Sequence, residues 1–175
     1  VIALFARPLT YMLSAFAGAV FQGGAYTLAL FTSAVGVGAV LAGMKLTMYG
    51  RAHGLVREIL FNTLLTIICL VWFASTDNVL LATLLIFGFG YAVTVCSVGS
   101  QTLVQNSIDD EMRGRVFSLW VAFTRGAPAL GVLVIGWFAS DYGLMWPNII
   151  AGLLCLAGAL PLLKQRRQMR AYFEL

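Results

Sequence analysis

Charge is what this chain has least of. Only 10% of its 175 residues are Asp, Glu, Lys or Arg, against 61% that are hydrophobic. A soluble domain carries about 25% charged residues, so an all-round water-facing surface is excluded. Histidine is nearly absent, and the one copy, His53, lies in a polar connection. No metal-ligand cluster, Ser/His/Asp set or phosphate-cradling glycine loop can be assembled. The chain is therefore read as neither an enzyme nor a metalloprotein, and no cofactor is expected. The three cysteines, Cys69, Cys96 and Cys155, sit in apolar runs without CxxC spacing. They read as small core residues, not as ligands or disulfide partners. No basic folded domain is visible, which argues against a nucleic-acid partner.

What is present is a series of long uncharged runs. Residues 24–44, 59–76, 79–108, 116–140 and 142–163 contain one cation between them, Arg125. A bilayer core of ~30 Å takes about 20 apolar helical residues to cross, and in lipid only helices or closed barrels satisfy their own backbone. The runs are continuous rather than alternating, so they predict helices. The fold class expected is an all-α membrane protein. Complete spans are placed at 24–44, 57–76, 79–104, 116–140 and 144–163, with one partial span at 1–21 and a tail at 164–175. The partial span carries Arg7-Pro8 inside an otherwise apolar run. The whole of 1–175 is read as one transmembrane unit, a fragment with one partial helix and five complete ones.

The basic residues fall on one side. Lys45, Arg51 and Arg57, then Arg113 and Arg115, then Lys164, Arg166, Arg167 and Arg170 occupy alternate connections and the tail. The other connections, 22–24, 75–78 and 141–143, have no Lys or Arg. The positive-inside rule makes the basic set, and with it the C-terminus, cytoplasmic. Trp72, Trp137, Tyr142 and Trp146 then sit at outer span ends, where an interfacial aromatic belt belongs.

Polar residues inside the spans are the candidate site. Thr94, Ser97, Gln101 and Gln105 recur at helical spacing on one span, and Asn62 and Thr66 share a face of another. A polar stripe on a membrane helix faces protein or water. This one is either helix–helix glue or the lining of a hydrophilic path. Arg125 lies ~13 Å from the cytoplasmic end of its span, too deep for easy snorkelling. Its partner is expected to be water, a polar face such as Gln101, or a residue outside this chain. Gly126, Pro128 and Gly131 follow it and predict a kink. Ala25, Ala29, Ser33, Gly36, Ala39 and Gly43 form a small-residue face of the kind that lets helices pack closely. Asn148, Gly152, Cys155 and Ala159 share another narrow face.

Residues 104–118 read VQNSIDDEMRGRVFS. Asp109 or Asp110 is placed to cap the helix that follows. Asp109, Asp110, Glu111, Arg113, Gly114 and Arg115 form either a charged cytoplasmic turn or a latch that holds one conformation. The stretch resembles the major facilitator superfamily, in the branch of bacterial exporters related to the enterobactin exporter. Gln105, Asp110, Glu111, Arg113, Gly114, Arg115, Val116 and Ser118 match its tenth-to-eleventh-helix loop, with Asp109 where Pro is usual. The likeness continues through residues 126–131, Gly136 and residues 15–21. Gly43, Gly50 and Arg51 fit the spacing of the eighth-to-ninth-helix motif. Thr47 and Met48 stand in place of its Asp and Arg, so that latch is not carried over.

The resemblance implies a major-facilitator-type helix bundle, here helices seven (partial) to twelve. It implies an efflux permease for a drug- or siderophore-like solute, coupled to protons, in a bacterial inner membrane, with an N-terminal six-helix half as partner. The spans contain no carboxylate at depth, so a proton carrier is expected in that other half. The other reading is a self-contained six-helix protein that dimerises as a half-transporter or scaffold.

Overall fold

The computed structural model describes residues 2–49, 54–108 and 112–164, with the backbone alone at Tyr49, Arg113 and 162–164. All regular structure among them is helical. In chain order the elements are α1 (Ile2–Phe5), α2 (Pro8–Ala15), a π-helical turn (Phe16–Val20), α3 (Gly24–Tyr49), α4 (Leu55–Ser75), α5 (Val79–Asn106), α6 (Arg113–Tyr142) and α7 (Met145–Lys164). Residues 2–20, 24–48, 55–75, 79–106 and 114–142 are each long and apolar enough to cross a bilayer, and 145–161 is a shorter apolar helix. Helices occupy each of the expected runs, but 2–20, expected as a partial span, is among the five long ones, and 144–163, expected as a complete span, holds the shorter one. The helices at 24–44, 79–104 and 116–140 run beyond their apolar cores into polar flanks, because a helix keeps its backbone bonded past the point where lipid demands it.

Local chemistry fixes several ends. Asn78 caps α5: its Oδ1 accepts from the amides of Leu80 (2.9 Å) and Leu81 (3.3 Å). Gly54, at φ 86°, provides the left-handed residue from which α4 starts. The position before α6 is Met112, which makes no side-chain cap. Asp109, Asp110 and Glu111, expected to cap that helix or form a latch, lie outside the described residues, as do the tail beyond Lys164 and His53.

The helices pack in a connected chain: α3 on α5, α5 on α4, α4 on α7, and α1 with α2 on α6. Lipid supplies no hydrophobic drive between helices, so close van der Waals fit has to do it. Two places show how. At one end of the bundle Phe16, Phe21, Phe31 and Phe73 stack with centroids 5.1–6.0 Å apart, tying the π-helical turn to α3 and α4. The turn closes with Phe21 N–H donating to the Phe16 carbonyl at 3.1 Å, five residues back. Along α3 and α5 the backbones touch. A Cβ at Gly38 would strike the Phe87 carbonyl and lie 2.8 Å from the Tyr91 amide, and one at Gly90 would lie 2.6 Å from the Val35 carbonyl.

That seam corrects one expectation. The small-residue face of α3 is turned outward at Ala25, Ala29, Ser33 and Gly36, and nothing lies within 4 Å of a Cβ built on Gly36 or Gly43. The buried residues of α3 are Thr27, Phe31, Gly38 and Ala42 instead, with Gly38 and Val35 meeting α5 and Phe31 meeting Phe21 and Phe73. A stripe of small residues shows where a close approach is possible. It does not show which neighbour takes it. On α7 the narrow face does pack: Asn148, Gly152, Cys155 and Ala159 are all buried, with Gly152 against Val71 of α4.

Candidate functional site

The site begins with a broken helix. Pro8 has no N–H to give the carbonyl four residues before it, and its ring crowds that turn. The chain responds at Ala6 and Arg7. The Ile2 carbonyl accepts from both Ala6 (2.9 Å) and Arg7 (3.0 Å), and beyond the break Leu9 and Thr10 donate only three residues back, to Ala6 (3.2 Å) and Arg7 (3.1 Å). The Thr10 hydroxyl adds a bond to the Arg7 carbonyl at 2.7 Å. Gly131 of α6 seats itself against this break. A side chain there would collide with the Leu4 carbonyl and the Pro8 ring. Irregular backbone at membrane depth is tolerated where protein covers it, and here α6 is the cover.

The break places Arg7 inside the bundle. Its Nη2 donates to Ser97 Oγ of α5 at 2.6 Å. Ser97 is ~13 Å from the Asn106 end of α5 and Arg7 ~20 Å from the Val20 end of its own span, at the helical rise. Around the pair is a cavity of about 260 Å³ that also takes in Thr63 of α4, Ser100 of α5 and Thr124 of α6, between apolar walls that include Val93, Trp120 and Phe123. Thr63 Oγ1 donates to the Ile59 carbonyl (2.8 Å), and Thr124 Oγ1 to that of Trp120 (2.8 Å), so both hydroxyls also keep acceptor capacity. A larger cavity of about 600 Å³ lies between α1, α6 and α7, but its walls are almost wholly apolar, among them Phe138, Ile150 and Leu154.

The expected residues divide around this site. Ser97 is in it. Thr94, one turn away, returns its hydroxyl to the Gly90 carbonyl at 2.8 Å. Gln101 is half-buried and makes no side-chain hydrogen bond among the described residues. Asn62 and Thr66 do share a face, but it is a buried one off the cavity. Asn62 Nδ2 donates to the Glu58 carbonyl (2.8 Å), and Thr66 Oγ1 donates to the Asn62 carbonyl (2.8 Å). Asn62 Oδ1 is buried without a partner among the described residues. Thr63, between them, is the residue of α4 that reaches the cavity.

Arg125 is exposed on α6 and has no hydrogen bond or ion pair among the described residues; its neighbour Thr124 faces the cavity in its place. Of the kink residues, Pro128 is buried within a helix that runs on to Tyr142, Gly131 meets the α1–α2 break, and Gly126 has open space beside it. In the loop, Gly114 and Arg115 are exposed, and the Arg113 side chain is outside the described set.

Two features escaped the reading of the sequence. Arg7 was visible as a cation beside a proline in an apolar run, and that pairing was the signal for a helix break aiming a charge inward. Glu58 forms an ion pair with Lys45, Nζ to Oε2 2.8 Å, joining the ends of α3 and α4. Lys45 also lies 5.9 Å from the Tyr91 ring centre. Placing Lys45 in a loop hid this pair; it belongs to the extended end of α3.

Residues 1–172 match the family model described as Major Facilitator Superfamily. No curated protein and no solved structure matches the chain.

Proposed function

The chain belongs to the major facilitator superfamily, and from that premise we propose that it is one six-helix lobe of an efflux permease. Membership makes it an integral membrane protein of a family that moves small solutes. Secondary transporters of this kind hold solute near the midplane, between two lobes that rock against each other. The observation that carries the reading is the cavity around Arg7 and Ser97: a charged and hydroxyl-lined hollow, deep in an otherwise apolar bundle.

The second lobe is supported by the faces this bundle leaves outward. Arg125 on α6 and the small-residue face of α3 are both exposed, and a polar or charged group at such depth has no place against lipid. On this reading Arg125, with Gln101 and Thr94, faces solute or the other lobe. Asn62 and Thr66 stiffen α4 behind the cavity. Asp109 to Arg115 latch one conformation, and Gly126, Pro128 and Gly131 shape α6. On this reading the membrane is a bacterial inner membrane and the C-terminus is cytoplasmic, an orientation supported by the basic connections. Proton coupling resides in carboxylates of the second lobe, since among the described carboxylates Glu58 is paired with Lys45 and Asp77 and Asp141 lie at span ends away from the cavity.

Proteoliposomes containing the intact transporter, loaded with ethidium, dansylamide or carboxyfluorescein, test the proposal. Release of any of the three faster than from protein-free liposomes supports transport of small solutes. Release accelerated by an imposed pH gradient supports proton coupling. No acceleration for any of the three charge classes overturns the proposal.

A further inference from the structure

We propose that the Arg7–Ser97 cavity is a binding site for an oxyanion, the carboxylate of a small apolar solute. The inference deepens the transport reading above and rests on it for its physiological meaning. The argument is one of uncompensated charge. A guanidinium has five N–H donors, and among the described residues Arg7 spends one bond on a neutral hydroxyl. Among the described residues no carboxylate borders the cavity. The described carboxylates are elsewhere: Glu58 pairs with Lys45, Asp77 sits before α5, and Asp141 is at the far end of α6. A half-buried guanidinium between apolar walls is incompletely hydrated and gains from a counter-charge, and a bidentate carboxylate satisfies a guanidinium better than any neutral acceptor.

The surroundings suit the same ligand. Ser100 lines the same hollow with a hydroxyl able to donate, while Thr124 gives its own proton to the Trp120 carbonyl and presents only an acceptor. Trp120, Phe123 and Val93 offer an apolar wall for the remainder of the molecule. Ser97 holds the guanidinium in place from α5 while Pro8 and Gly131 hold its backbone from behind. The cavity therefore pairs one fixed cation with apolar walls, the arrangement that favours an amphiphilic anion over a neutral or cationic solute.

An oxyanion in this site has two sources, the carboxylate of a soluble solute or the phosphate of an anionic lipid, and the experiment separates them. The intact protein in phosphatidylcholine nanodiscs is titrated calorimetrically with 4-phenylbutyrate and with its uncharged isostere 4-phenylbutanamide, empty discs being subtracted. The carboxylate should bind at least ~10-fold more tightly than the amide, the ratio expected for one charge-assisted hydrogen bond. Arg7→Gln should abolish that preference, Arg7→Lys should keep part of it, and Ser97→Ala should weaken it by less than Arg7→Gln does. Gel filtration and helical circular dichroism of each variant report folding, and Arg7→Lys with Ser97→Ala carries the test if Arg7→Gln does not fold.

Equal binding of acid and amide, no binding of the acid, or a preference that survives Arg7→Gln would overturn the assignment. Loss of the preference when phosphatidylglycerol is included in the discs would assign the site to a lipid headgroup and overturn the solute reading. Selective binding without transport in loaded proteoliposomes would sink only the transport proposal. Transport without the acid preference would sink only this one.

Discussion

The contact between α3 and α5 gives the most quantitative prediction. Substituting Gly38 with Ala places a methyl group into the Phe87 carbonyl and against the Tyr91 amide; at Gly90 the same change meets the Val35 carbonyl at 2.6 Å and its Cα at 2.8 Å. All of these obstacles are backbone, so no side chain can rotate away, and the helices must separate. Overpacking of this kind costs ~1–3 kcal/mol. In a helix of ordinary environment Gly→Ala instead gains ~0.5–1 kcal/mol of backbone entropy. Gly36 on the open face of α3 provides that reference, because nothing lies within 4 Å of its added Cβ. At ~2–4 °C per kcal/mol for a chain of this size, Gly38→Ala and Gly90→Ala should each lower the apparent melting temperature by about 2–12 °C, and Gly36→Ala should leave it level or raise it. The assay is intrinsic tryptophan fluorescence during heating of purified protein in detergent. The double variant should lose less than the sum of the two, since separation forced by one methyl group makes room for the other. Identical melting for Gly36→Ala and Gly38→Ala would refute the close-approach reasoning.

Three further outcomes follow from named contacts. Asn78→Ala removes the acceptor for two amides at the start of α5 and should cost ~1 kcal/mol, seen as a lower melting temperature that Asn78→Asp restores. A double-mutant cycle on Lys45 and Glu58 should return a coupling of no more than ~1 kcal/mol, because the pair is partly exposed, and the coupling should shrink at high salt. Arg125→Ala should reduce efflux from cells more than it reduces the amount of protein in the membrane fraction, as quantitative immunoblotting beside a dye-efflux trace will report; unchanged efflux at matched expression would contradict its proposed role.

The fold was legible in the sequence because lipid leaves so few options. A run such as 79–104 has to be a helix, since no other structure satisfies its backbone, and the structure places one at Val79–Asn106. Which face of a helix meets which neighbour was much less legible. The face of Asn148, Gly152, Cys155 and Ala159 is buried, yet the equally regular face of Ala25, Ala29, Ser33 and Gly36 is not. Periodicity defines a face without naming its partner, and small residues are as suited to another lobe as to this one. The site suffered the same ambiguity. Ser97 was found because a polar stripe in an apolar span is conspicuous. Arg7 was passed over for Arg125 because depth along a span is countable from sequence, whereas the inward turn of a side chain at a broken helix depends on Pro8, Gly131 and the helix that covers them.

The central claim is a water-reachable polar hollow at the middle of a membrane bundle, and thiol labelling tests it most directly. Cys69, Cys96 and Cys155 are buried and are first replaced by Ala; Ser100, which lines the cavity, is then changed to Cys. In sealed membrane vesicles a charged, membrane-impermeant thiol reagent should modify Ser100→Cys readily, and 4-phenylbutyrate should slow that modification. A cysteine introduced at Leu84, an exposed apolar position in the α5 span, should stay unmodified under the same conditions. If Ser100→Cys is as inert as the Leu84 control from both sides of the membrane, the hollow does not open to water and the account of this chain as a solute path is wrong.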